Sequence, residues 1–120
     1  MDLMECLQIK DDTYTVSYDP SSELVIFKGS LRLNGTEDYV PIETMLHTMV
    51  DKEPSSVTLD LRQLDYLNSS GVNMLSKFVI RLRHQTKIQL VLHGSEASFW
   101  QKKTLKNMQR LMPGLRLEMV

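Results

Sequence analysis

Val57-Thr58-Leu59-Asp60-Leu61 is a short run rich in apolar and β-branched residues. It leads through Arg62-Gln63-Leu64-Asp65-Tyr66-Leu67 to Asn68-Ser69-Ser70-Gly71, and then to Val72-Asn73-Met74-Leu75. The first five residues read as a buried strand. Beyond the tetrapeptide, Leu75, Phe78, Val79 and Leu82 recur at helical spacing and mark a helix starting near Gly71. Residues 62–69 between them read as a loop. Strand, loop and helix in this order form half of a βαβ unit, which places the chain in the α/β class.

The pattern repeats outward in both directions. Downstream, Ile88, Leu90 and Leu92 alternate as an inner strand that ends at His93-Gly94. Ser95 is placed to cap a third helix with apolar positions Ala97, Trp100, Thr104, Met108 and Leu111, which Pro113-Gly114 stops. Leu115, Leu117 and Met119 alternate in a last strand. Upstream, Ile42, Met45, Leu46, Met49 and Val50 share one helical face, with Pro41 in the first turn and Pro54 beyond the end. Residues 13–18 bring Tyr14, Val16 and Tyr18 to one side of a strand. Asp19-Pro20-Ser21-Ser22-Glu23 turns it into a second strand, residues 24–28, as a hairpin. Residues 1–11 show no firm pattern and read either as a loose end or as a short extra strand.

These elements predict a single domain over residues 1–120: a mostly parallel central sheet with an antiparallel edge strand and helices packed against it. Leu59, Leu61, Leu75, Val79 and Leu90 are the expected core. The chain has 120 residues, room for one core and not two. Fourteen Lys and Arg against fifteen Asp and Glu leave a formal charge of −1, so nucleic acid and an anionic membrane fall away as partners. One cysteine, Cys6, rules out an intramolecular disulfide and fits the cytoplasm. No apolar run approaches the roughly 20 residues that cross a bilayer, and Asp2 and Glu5 stand where a signal peptide carries bases.

The carboxyl ends of parallel strands are where α/β sheets collect ligands, because the next helix presents unpaired N–H groups and a partial positive charge. Asn68-Ser69-Ser70-Gly71 sits at such an end. One serine can be a plain N-cap while Asn68 shapes the turn, or a hydroxyl can carry phosphate in a favourable field.

The run from Val57 to Leu75 resembles the core signature of STAS domains, the bacterial anti-sigma-factor antagonists and their relatives. In that family a strand ending Asp-Leu passes through a short apolar loop to Asp-Ser-Ser-Gly and a helix beginning Gly-Leu-Gly-Val-Leu. The order of elements also looks like theirs, from about residue 12 to the end. The resemblance implies a non-enzymatic partner switch without a cofactor. A serine kinase modifies the serine before the glycine, a phosphatase reverses this, and binding of a regulated target through residues 62–70 and the following helix changes. That serine is Ser70 here. Two departures stand out: Asn68 replaces the family's Asp, and the family's Gly-Glu-Leu-Asp falls on Gly29-Ser30-Leu31-Arg32. Arg32 is thereby a candidate to pair with a phosphate. Tyr66-Leu67-Asn68-Ser69-Ser70 is also similar to the Tyr-Phe-Asn-Thr-Ser of STAS-like activators of diguanylate cyclases, a register that points to Ser69. Tyr66, Leu67, Asn68 and Gly71 complete the expected binding set.

The target implied is a sigma-factor regulator or a diguanylate cyclase. The competing reading is a sensor that holds a nucleotide or other small anion at the same helix start. Other groups carry weaker signals. Glu43 and His47 lie one helical turn apart without a third metal ligand, and His84 and His93 have no catalytic companion. Lys102, Lys103, Lys106 and Arg110 make a basic helix side that reads as solvated. The eight methionines read mostly as core filler.

Overall fold

The sheet grows across the molecule in the order of the sequence. A computed structural model describes residues 7–120, so Cys6 lies outside the described residues. Six strands stand side by side as β1 (Gln8–Lys10), β2 (Tyr14–Asp19), β3 (Leu24–Leu31), β4 (Ser56–Leu67), β5 (Gln89–Gly94) and β6 (Arg116–Met119). β1–β2 and β2–β3 are antiparallel; the other three pairings are parallel. This is the expected mostly parallel sheet with an antiparallel edge, and the N-terminal segment supplies β1 as an extra strand.

Helices α1 (Val40–Asp51), α2 (Ser69–Arg83) and α3 (Phe99–Leu111) join β3 to β4, β4 to β5 and β5 to β6. Each parallel connection is right-handed by the twist of its strands, and each steps the same way across the sheet. All three helices therefore land on one face. Alternation along the strands agrees: Val57, Leu59 and Leu61 are buried, whereas Thr58 between them is half-buried on the other side.

The expected core is borne out, with Leu59, Leu61, Leu75, Val79 and Leu90 each at most 1% exposed. Ile42, Met45, Leu46, Met49 and Val50 of α1 are buried as their spacing requires, and Met74, Met108 and Met112 fill gaps in the same cluster. No described helix covers the opposite face. A row of ions crosses it: Arg62 to Asp60 at 2.8 Å, His93 to Glu118 at 2.9 Å and Arg116 to Glu118 at 2.6 Å. No helix among the described residues is long and apolar enough to cross a membrane.

Two local expectations are corrected. Residues 62–67 are not a loop but the second half of β4. β3 runs on to Leu31 and gives them partners, with Ser30 opposite Tyr66 and Leu31 opposite Leu67 after two register shifts. One shift falls at Gly29, whose φ of +90° and 2.2 Å approach of the Thr13 carbonyl oxygen to any added Cβ exclude a side chain there. The third helix begins at Phe99 rather than after Ser95, and its buried face is Gln101, Leu105 and Met108. Ala97 is exposed, and Trp100, Thr104 and Leu111 are only half-buried. The face is turned from the expected one because a glutamine occupies a core position.

Candidate functional site

β4 outruns its neighbour. β5 accompanies it only as far as Asp60, opposite His93, so beyond that point β4 has a strand on one side alone. Side chains of α3 take the place of the missing strand. Gln101, fully buried, donates from Nε2 to the carbonyl oxygens of Leu61 at 2.6 Å and Leu64 at 3.0 Å. Its Oε1 accepts from the Ser95 amide at 2.8 Å. Trp100 Nε1 donates to the Asp65 carbonyl at 2.9 Å. β4 is thereby carried, still regular, to the start of α2.

Asn68 fixes that start. Its Oδ1 accepts from the Gly71 amide at 3.0 Å, which makes it the N-cap of α2, and also from the Tyr39 hydroxyl at 2.6 Å. Its Nδ2 donates to the Leu33 carbonyl at 2.8 Å, and its amide to the Leu31 carbonyl at 3.1 Å. One residue thus ties the end of β3, the 3-10 turn Glu37–Tyr39 and the first turn of α2. The donation to Leu33 gives a physical reason for asparagine where the family's pattern has aspartate, because a carboxylate has no proton to give. Burial pushes the Tyr39 phenol above its ordinary range, and it stays a neutral donor.

With the cap on Asn68, neither serine is needed for it. Ser69 is exposed in the first position of α2 and Ser70 half-buried in the second, and neither hydroxyl enters a hydrogen bond among the described residues. No acidic side chain stands in the first turn, or anywhere in α2. Gly71 is buried: a Cβ there would lie 2.2 Å from Leu67 Cδ1 and 2.7 Å from the Tyr39 hydroxyl. Leu67, 6% exposed, belongs to the core, so Leu67 and Gly71 seat the helix and do not line the surface. Arg32, directly after β3, lays its guanidinium over the Tyr66 ring at 4.5 Å, and Tyr66 is 41% exposed. Arg32, Tyr66 and the serine pair thus share the carboxyl end of the sheet.

Sequence reading missed Tyr39 and Gln101. Nothing in their neighbourhoods marks them, since both act through partners 29 to 40 residues away. Glu43 and His47 are no metal pair. His47 Nδ1 meets the Arg81 guanidinium, which also binds Asp51 at 2.6 Å and so clamps α1 to α2. Burial, then the Arg81 charge, holds the imidazole below its ordinary range. Among the described residues no three His, Cys, Asp or Glu could hold a metal. His84 caps the carboxyl end of α2, exposed.

Below the site, the Arg62 guanidinium holds the Asp60 carboxyl below the usual carboxylate range. A lowered folded-state value means that the pair adds stability above about pH 4 and loses it as pH falls through the lowered value. Asp60→Asn should be less stable than wild type at about pH 7, with the gap closing below about pH 4. Urea titrations across that range check this; a gap that persists at low pH would assign the loss to packing.

The STAS domain model matches residues 30–113. A chain in the crystal structure of diguanylate cyclase SiaD with its activator SiaC, from Pseudomonas aeruginosa, superposes with a TM-score of 0.73 at 16% identity, covering 95% of this chain and 98% of that one. The apo-SiaC structure gives 0.75 at 15% identity, covering 94% and 96%. An anti-sigma factor antagonist from Mycobacterium paratuberculosis gives 0.55 at 15% identity, covering 93% and 82%. No curated protein sequence matches the chain. At such identities the superpositions speak for the fold.

Proposed function

The chain belongs to the STAS domain family, and on that premise we propose that it is a non-enzymatic regulatory protein of the cytoplasm. It binds a protein partner through the carboxyl end of β4 and the first turns of α2, under the control of reversible serine phosphorylation. The observation that carries this is the idle serine pair: Asn68 alone caps α2, so Ser69 and Ser70 keep their hydroxyls uncommitted at a helix start with no acidic neighbour in its first turn. A phosphate adds about −1.5 to −2 charge there, where the helix field favours it, and changes what surface can dock. A kinase and a phosphatase set the balance. Likeness of the fold to a chain from the SiaD–SiaC structure supports a target of that kind, a diguanylate cyclase, over a sigma-factor regulator.

Between the two serines, the exposure of Ser69 and its position directly after Asn68 support it as the acceptor, with Ser70 the alternative. Arg32 stands at the same end of the sheet and is the cation for the phosphate. Incubation with ATP and a lysate of the source cells, followed by peptide mass spectrometry, tests the reading. One phosphate is expected, lost in Ser69→Ala, kept in Ser70→Ala and reduced in Arg32→Glu. Both alanine variants should stay within about 0.5 kcal/mol of wild type, because neither hydroxyl holds structure. Phosphate on Ser70 alone would select the other register. Phosphate on neither serine would sink the switch.

A further inference from the structure

The near-zero net charge hides a separation. Residues 1–60 carry twelve Asp and Glu against four Lys and Arg, whereas residues 61–120 carry three against ten. The sheet is laid down in sequence order, so these halves are the two sides of the molecule. The helix layer shows it most sharply. α1 has Glu43 and Asp51 with no Lys or Arg, and the turn before it adds Glu37 and Asp38. α2 and α3 contain no acidic residue, and α3 exposes Lys102, Lys103, Lys106 and Arg110. Of these four, Lys102 reaches Glu96 only at 3.8 Å.

The same layer leaves three large apolar side chains in water, one per helix: Val40 at 50%, Ile80 at 37% and Phe99 at 93%. Val40 and Phe99 are the first residues of α1 and α3, and both helices start at the carboxyl ends of the strands. The geometry points to a second copy of this chain as the occupant of the helix face, related by a two-fold axis running along α2. Such an axis lays α1 of one copy on α3 of the other, with the helices in the same direction. A face that is negative on one side and positive on the other is self-complementary under that rotation. The perpendicular axis in the same plane would set α1 on α1 and is disfavoured by charge.

The register fits as well. Counting from the first residue of each helix, Val40 corresponds to Phe99, Glu43 to Lys102 and Asp51 to Arg110. Ile80 of α2 falls near the axis and meets its own copy. A molecule of 41 × 35 × 25 Å has room on a broad face for the roughly 800 Å² per partner of a standard interface.

Sedimentation velocity of the full chain over a concentration series tests the pairing. In low salt a monomer–dimer equilibrium is expected that shifts to monomer near 1 M salt, where screening acts over about 3 Å. Lys102→Glu, which reverses two contacts per dimer by symmetry, should weaken the dimer about tenfold. Glu43→Lys should do the same, and the double variant E43K/K102E should restore it. Phe99→Ser should weaken the dimer without loss of fold, given the exposure of that ring. Circular dichroism and a urea midpoint for each variant separate lost pairing from lost fold. A protein monomeric at every concentration in low salt, a dimer indifferent to salt and to both reversals, or a double variant no better than its parents would overturn the assignment. Growth beyond the dimer would do so too, because a two-fold contact closes at two copies.

Discussion

Replacing Gln101 with leucine should destabilise the protein by about 3 kcal/mol or more, although the change is apolar and near in size. Three buried backbone groups depend on this side chain: the Leu61 and Leu64 carbonyls and the Ser95 amide. A buried polar group left without a partner costs about 1 to 3 kcal/mol, and leucine can satisfy none of the three. Its better transfer into the core offsets only part of the loss. A urea titration with an unchanged slope and a lowered midpoint is the expected record. A loss under about 1 kcal/mol would mean that β4 rearranges or admits water where Gln101 stood.

Asn68→Ala should come next, at about 2 to 3 kcal/mol. Loss of an N-cap alone costs about 1 kcal/mol, and here the Tyr39 hydroxyl and the Leu33 carbonyl lose a partner in the same step. Asn68→Asp separates these parts. Aspartate keeps both acceptor contacts and suits the helix field, but faces the Leu33 carbonyl without a proton to donate. It should therefore fall between wild type and alanine. Aspartate as stable as wild type would show that the Leu33 contact is immaterial and leave the asparagine without a structural reason.

Much of this architecture was legible in the sequence because it rests on periodic burial. The stripes of α1 and α2 and the alternation of Val57, Leu59 and Leu61 each report a face of one element, and each face is where periodicity placed it. The misreadings share another cause. Leu64 and Leu67 are buried three residues apart, a spacing no regular strand has, because β4 is bulged against β3. α3 was turned because its innermost residue, Gln101, is polar and serves backbone atoms of another strand rather than solvent. The helix start was located to within a residue, but which of Asn68, Ser69 and Ser70 caps it was decided by Tyr39 and Leu33, far off in sequence. The charge separation was written in the chain throughout. A sum over all residues erased it.

The bare face of the sheet bears on how the protein survives crowding. Leu24, Ile26 and Val91 lie there half-buried, enough apolar surface to invite a second sheet to stack upon it. Arg62 with Asp60, and Arg116 and His93 with Glu118, stand in the way. To stack, a second sheet would have to strip these ions of water, at several kcal/mol for each. The ion row thus acts as a gatekeeper against aggregation, so concentrated solutions of Asp60→Asn or Glu118→Gln should cloud before wild type does.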